Sequence, residues 1–165
     1  MKIKLTTIYV TDQDKALRFY TEVLGFTKKA DFSQGPFRWL TVVSPDDPDG
    51  TELQLALNDN PAAKAYQEAL YQQGQPAVMF FTDDIKGECE RIESQGGDFK
   101  MQPTEVTAST IAQIDDCCGN LVQITKGLQP GQTVVATGAY GLPDNVQVKI
   151  AAQPAGAKQA VEAKD

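Results

Sequence analysis

The chain opens on a strand pattern. Residues 3–11, Ile-Lys-Leu-Thr-Thr-Ile-Tyr-Val-Thr, are rich in β-branched side chains. Asp12 then stands where a helix N-cap belongs. Lys15, Leu17, Phe19, Tyr20, Val23 and Leu24 recur at helical spacing until Gly25. Two further strand patterns, 26–32 and 37–43, flank Ser33-Gln34-Gly35-Pro36, a run of turn formers. The loop Pro45-Asp46-Asp47-Pro48-Asp49-Gly50 leads to a strand at 51–57. The order so far is βαβββ.

A second helix is predicted over 61–71, with Pro61 suited to its first turn and Ala65 and Leu70 on a weak apolar face. Gly74-Gln75-Pro76 ends it, and the first order returns. A strand at 77–82 precedes Asp84, the cap of a helix holding Cys89 and Ile92, which Gly96-Gly97 stops. Strands follow near 98–102 and 106–114, then a turn at 115–120 and a strand at 121–125. Adding 72 takes Val10 to Thr82, Asp12 to Asp84, Leu17 to Cys89, Tyr20 to Ile92 and Gly25 to Gly97, while Glu52 meets Gln123 at an offset of 71. The repeat predicts an α+β fold of two βαβββ modules, 1–57 and 76–126, with a helical linker at 58–75. A chance likeness between two generic strand–helix–strand patterns is the alternative. Residues 127–165 break the pattern. Short strands are expected at 133–136 and 147–151, and an Ala-, Gln- and Lys-rich end at 152–165 is expected to be largely disordered.

Charge narrows the partners. Lys and Arg number 15 against 22 Asp and Glu, a net charge of −7. Such a surface repels nucleic acid and anionic membrane and tolerates or attracts a cationic ligand. The longest apolar candidate, Ala77 to Phe81, is far too short for a membrane span or the core of a leader peptide. Three cysteines without zinc-type spacing suggest a reducing, cytoplasmic compartment. Cys117 and Cys118 are adjacent, either a reactive vicinal dithiol or packing and turn residues. The chain has no histidine. That excludes Ser-His-Asp and Cys-His nucleophiles and removes the commonest metal ligand.

The helix signature Asp12, Ala16, Phe19, Tyr20, Leu24, Gly25 and Phe26, inside a doubled βαβββ pattern, resembles the vicinal oxygen chelate superfamily of glyoxalases, bleomycin-resistance proteins and extradiol dioxygenases. Asp115-Asp116-Cys117-Cys118-Gly119-Asn120 resembles that family's closing turn, usually Asp-Pro-x-Gly-Asn. The resemblance covers residues 1–126 and implies curved mixed sheets around a central cleft. Metal-using members place a ligand on the first strand of each module and a Glu on the last. Those positions fall on Leu5, Ala77, Glu52 and Gln123. Two are aliphatic and one is an amide, and a lone carboxylate does not hold a transition metal. No metal and no cofactor are therefore expected.

The candidate ligand-binding cleft is Leu5, Thr7, Trp39, Glu52, Gln54, Ala77, Met79, Phe81 and Gln123. Glu52 reads as a solvated or paired acid, a cation-recognition group or a catalytic base. Trp39 is either a stacking wall or core. Asp46, Asp47 and Asp49 lack the alternate spacing of a calcium loop and read as a solvated hairpin. Residues 127–150 resemble the C-terminal end of efflux-pump periplasmic adaptor proteins, and no efflux role is inferred from so short a stretch. The resulting expectation is a metal-free small-molecule-binding protein that sequesters a cationic or aromatic compound. Its relatives imply a homodimer. A divergent lyase, isomerase or dioxygenase-like enzyme of the same superfamily is the alternative, and an interaction protein with an unused cleft is a third class.

Overall fold

A computed structural model describes residues 1–106 and 109–127. They belong to one compact unit, Met1–Gln129. The expected strands at 133–136 and 147–151, the expected disordered end and the adaptor-like stretch beyond Gly127 lie outside the described residues.

The element order is the doubled one. The first module comprises β1 (Leu5–Val10), α1 (Gln13–Arg18), β2 (Thr27–Gln34), β3 (Phe37–Val43) and β4 (Glu52–Leu57). α2 (Pro61–Gln72) links it to β5 (Pro76–Thr82), α3 (Ile85–Ser94), β6 (Asp98–Val106), β7 (Ser109–Asp115) and β8 (Leu121–Lys126). Each module forms a four-stranded mixed sheet, ordered β1-β4-β3-β2 and β5-β8-β7-β6. In each, the first strand pairs in parallel with the last, and the rest is antiparallel.

The two helix starts repeat one device. The Asp12 carboxylate accepts from Lys15 N at 2.9 Å, and that of Asp84 accepts from Gly87 N at 3.0 Å. Each satisfies a backbone donor that the helix leaves unpaired. α1 continues as a π-helical turn over Phe19–Val23, where Leu24 N donates to Phe19 O. That wider turn shifts the apolar stripe. The buried positions are Gln13, Ala16, Phe19 and Tyr20, while Leu17, Val23 and Leu24 pack against the core only partly buried. α2, a regular α-helix, also departs from its expected face. Ala65 is exposed and Leu70 half-buried, and the helix docks through Ala63 and Gln67.

Two strand boundaries also move. The strand expected at 26–32 is Thr27–Gln34, and Val106 closes β6 opposite Ser109 rather than opening β7. β6 passes through Pro103 because it is an edge strand, where a missing N–H is tolerated and the pairing slips between Met101 and Thr104. Gly96, not Gly97, carries the left-handed turn after α3, with φ +85°. Gly97 is needed for close approach instead, since a Cβ there would sit 2.4 Å from Ile92 Cγ2.

Both modules contribute to one core. Ile8, Val10, Leu40, Val42, Leu53 and Leu55 of the first sheet join Ala112, Ile114, Val122 and Ile124 of the second, with residues of α1 and α3 among them. Each fully buried aliphatic side chain contributes roughly 1.5–3 kcal/mol. The junction is pinned by polar contacts as well. Arg91 of α3 donates to Val23 O at 2.9 Å and Leu24 O at 3.0 Å, and Glu88 holds the same guanidinium at 2.8 Å. The rings of Phe26 and Phe80 meet at 4.7 Å. Asp116 is fully buried and accepts from Cys118 N, Asn120 N and Asn120 Nδ2, while Tyr20 Oη approaches it at 3.4 Å. Burial pushes its carboxyl up, against the pull of the Asn120 and Cys118 donors.

Candidate functional site

Alternation along the strands assigns the nine candidate residues to faces. In the first sheet, Ile8, Leu40, Val42, Leu53 and Leu55 turn into the core, so Leu5, Thr7, Trp39, Glu52 and Gln54 share the opposite face. Leu5 stands opposite Glu52, Thr7 opposite Gln54, and Gln54 opposite Thr41. In the second sheet, Val78 and Phe80 pack on the core, which leaves Ala77, Met79 and Phe81 on the outer face with Gln123. Gln123 stands opposite Met79 rather than Val78, because the pairing shifts between Pro76 and Val78. Within one chain the nine residues therefore form a set of five and a set of four, each on the side of its sheet away from the shared core.

The first face carries the richer chemistry. Trp39 is 38% exposed and stacks on Phe32, with ring centroids 6.3 Å apart and planes 20° from parallel. It is an exposed surface residue and not a core residue. Phe37 is also exposed beside this pair. Thr7 Oγ1 donates to Gln54 Oε1 at 2.9 Å, which leaves the Gln54 amide N–H groups without a protein acceptor among the described residues. Thr41 Oγ1 donates to Glu52 Oε2 at 2.7 Å.

A cavity of about 420 Å³ opens at the aromatic end, lined by Gln13, Phe32, Phe37, Trp39, Gln54 and Asp59 among others. Arg38 braces its edge. Its guanidinium donates to both Asp31 oxygens, at 2.8 and 3.0 Å, and to Asp14 at 2.7 Å. The Arg38 donors hold the Asp31 carboxyl down at about 2, and Asp31 in turn raises Arg38. Gln13 was not legible as a site residue. It is polar on a helix whose apolar spacing drew attention to Phe19 and Tyr20. The signal that could have found it is its place one residue after the capping Asp12, facing the sheet.

The outer face of the second sheet is neutral at the candidate positions. Met79 and Phe81 are 52% and 70% exposed, and Gln123 Nε2 donates to Thr125 Oγ1 at 3.0 Å. Phe81 also borders a different cavity of about 440 Å³ at the module junction, with Leu24, Phe26, Phe80 and Arg91.

The donor set does not fit a metal of the kind the superfamily's metal-using members hold. No group of three or more His, Cys, Asp or Glu able to hold a metal ion occurs among the described residues. Glu52 offers one carboxylate facing Leu5 across the strand pair. The three cysteines are free thiols. Burial pushes Cys89 up to about 11 and Cys118 up to about 12, and raises Cys117 as well. Cys118 is buried with its Sγ 3.7 Å from Asp12 O, while Cys117 is exposed in a left-handed turn at φ 57°. Protonated thiols so placed are turn and packing groups, not a reactive pair. The loop residues Asp46–Asp49 are exposed, and lysines tie them down: Lys29 donates to Pro48 O and Asp49, and Lys4 to Asp49 O.

Comparison with known proteins agrees with this architecture. The family model described as "Glyoxalase/Bleomycin resistance protein/Dioxygenase superfamily" matches residues 2–124. The chain is 54% identical over 126 residues to the uncharacterized protein YurT of Bacillus subtilis (strain 168), a match spanning 76% of this chain and 99% of YurT. Among solved structures it is similar to UcmS2, with a TM-score of 0.67 and 28% identity over 76% of this chain and 97% of the other. It is also similar to TnmS3, an antibiotic binding protein from Streptomyces sp. CB03234. The TM-score there is 0.61, with 25% identity over 76% of this chain and 95% of TnmS3.

Proposed function

This chain belongs to the glyoxalase/bleomycin resistance protein/dioxygenase superfamily, and we propose that within it the protein binds a flat aromatic compound, preferentially a cationic one, without a metal. The observation that carries the reading is the exposed Phe32–Trp39 stack at the mouth of a cavity of about 420 Å³. Aromatic side chains left on a surface with adjacent polar groups suit a ring that slides against them. A net charge of −7 favours a cation, and Glu52, on the same sheet face but outside the residues lining the cavity, adds a carboxylate with one oxygen held by Thr41. The likeness to an antibiotic binding protein supports a small-molecule ligand. Sequestration asks nothing of the site beyond affinity, which suits a face without a metal cluster or histidine.

A second copy of the chain is part of this proposal. Phe32, Phe37 and Trp39 on one face, and Met79 and Phe81 on the other, are exposed apolar side chains on unpartnered sheet faces. Apolar side chains gathered on such faces suit a contact surface. A homodimer that lays one face over the other would enclose the ligand between them. Among the described residues no helix is long and apolar enough to cross a membrane, and free thiols fit the reducing conditions of the cytoplasm.

The test uses Trp39, the chain's single tryptophan. Proflavine, as a flat cation, is expected to quench its fluorescence saturably and to raise the melting temperature. An anionic dye such as anilinonaphthalene sulfonate is expected to bind more weakly. No quenching and no stabilisation by either would remove the reading. Sedimentation analysis with and without proflavine tests the dimer, and a monomer under both conditions would remove the second copy.

A further inference from the structure

Gln13 is 6% exposed, a buried polar side chain at the first turn of α1. Its Nε2 donates to Leu55 O at 2.7 Å and to Arg38 O at 3.2 Å. Backbone carbonyls only accept, so these two bonds fix which end of the carboxamide is nitrogen and occupy both of its hydrogens. The carboxamide oxygen, Oε1, is left without a donor among the described residues. No fully buried side-chain oxygen among them lacks a partner. Oε1 therefore reaches accessible space, and Gln13 lines the Phe32–Trp39 cavity. An acceptor on a side chain that is otherwise buried, and rigidly held by two bonds to two different strands, is preorganised to receive a hydrogen.

We propose that Gln13 is the specificity-determining residue of this cavity: its carboxamide oxygen accepts a hydrogen bond from an N–H or O–H group on the edge of a flat aromatic ligand stacked at Trp39 and Phe32. The inference rests on the aromatic-ligand reading above and names what that ligand carries. The neighbouring polar group completes the pattern. Gln54 Oε1 already accepts from Thr7, so its N–H groups are free to donate to an acceptor on the same ligand. The cavity thus asks for a ring with a donor toward α1 and an acceptor toward β4, as in an aromatic lactam or a hydroxylated carbonyl compound. A ring with neither leaves Gln13 Oε1 shut away from water when bound, which is the source of discrimination. Asp59, also at the cavity, is exposed, so water serves it whether or not a ligand is bound.

The probes are carbostyril, a flat lactam with one N–H, and N-methylcarbostyril, which lacks it. Each is titrated into the isotopically labelled full chain, following the single Trp39 indole resonance and the Gln13 carboxamide resonances. Carbostyril is expected to bind about fivefold more tightly, the scale of one neutral hydrogen bond, and to move both sets of resonances. Gln13→Lys keeps donors for Leu55 O and Arg38 O but removes the acceptor, and Gln13→Met removes both functions. In either variant the preference is expected to fall toward one while Trp39 still responds. Equal affinity of the two probes in the wild type overturns the proposal and leaves the aromatic site standing. So does a preference that survives in a folded variant. If neither variant folds, the wild-type probe pair and the Gln13 resonances decide, and Gln13 resonances that carbostyril leaves unmoved overturn it. A Trp39 resonance that neither probe moves removes both the proposal and the site it depends on.

Discussion

The Thr41 hydroxyl donates to the Glu52 carboxylate at 2.7 Å across the β3–β4 pair. Glu52 has no cationic partner among the described residues; its other oxygen is left for solvent or a ligand. Glu52→Gln removes the charge and nearly keeps the shape. Affinity for a cationic aromatic bound beside it is expected to fall by about 1.5–3 kcal/mol, the range for a charge-assisted hydrogen bond. The affinity of a neutral analogue and the denaturant midpoint of the free protein are expected to hold. Calorimetric titration of both proteins with a matched cationic and neutral pair checks this, and equal losses for the two ligands would reduce Glu52 to a general polar contact.

Helix burial makes a graded stability prediction. Phe19 is 7% exposed and packs edge-on to Tyr20 at 5.4 Å, so Phe19→Ala is expected to cost about 3–5 kcal/mol. Leu24 lies after the π-helical turn and is only half-buried. Leu24→Ala is expected to cost about 1–2 kcal/mol, below the usual 2–5 for a core leucine. Urea denaturation of the two variants should rank them in that order.

The Asp31–Arg38 pair sets an acid dependence. Arg38 lowers the Asp31 carboxyl from 3.8 to about 2. A folded-state value below the unfolded one gives stability that is present above about pH 4 and lost as pH falls toward 2. Asp31→Asn is expected to lower the melting temperature at pH 6 and to narrow that gap steadily between pH 4 and 2. A gap that stays constant over this range would show that the pair contributes nothing through its charge. The pair is partly exposed, so added salt should shrink the gap as well.

The described fold ends with β8, and Gly127 N donates to Thr82 O at 2.9 Å as the last bond of the parallel pair. A chain cut after Gly127 is expected to remain soluble and to unfold in one cooperative transition, within about 1–2 kcal/mol of the full chain. Urea denaturation followed by Trp39 fluorescence measures this directly. Aggregation, or a broadened transition, would show that the extension completes the domain.

Much of this architecture was legible in order and little of it in register. Asp12 and Asp84 announced α1 and α3, the helices of the two modules, because each carboxylate stands where an N-cap belongs before an apolar run. Strand parity was legible too, since alternation separates Leu53 and Leu55 from Glu52 and Gln54. Which outer face meets which is a matter of long-range packing, and alternation says nothing of it. Residues of both sets were therefore expected around one cleft, whereas within a single chain they stand on separate faces. The slip between Pro76 and Val78, which puts Met79 opposite Gln123, is a local irregularity with no sequence marker beyond the proline itself. Gln13 and Gln67 escaped for another reason. Buried amides mimic surface residues in composition, and only their partners reveal them. Gln67 Nε2 approaches Tyr9 O, Cys118 O and Asn120 Oδ1 within 3.1 Å, contacts that join residues more than fifty positions apart.

Arg91 caps the end of the other module's helix, across 67 and 68 positions of sequence. The two halves that look interchangeable on paper are thus not spare parts for one another. A hybrid gene joining the front half of one such protein to the back half of a relative would inherit a helix whose last carbonyls await a guanidinium from a stranger. Such an exchange disturbs the junction least where that arginine travels with the loop it reaches.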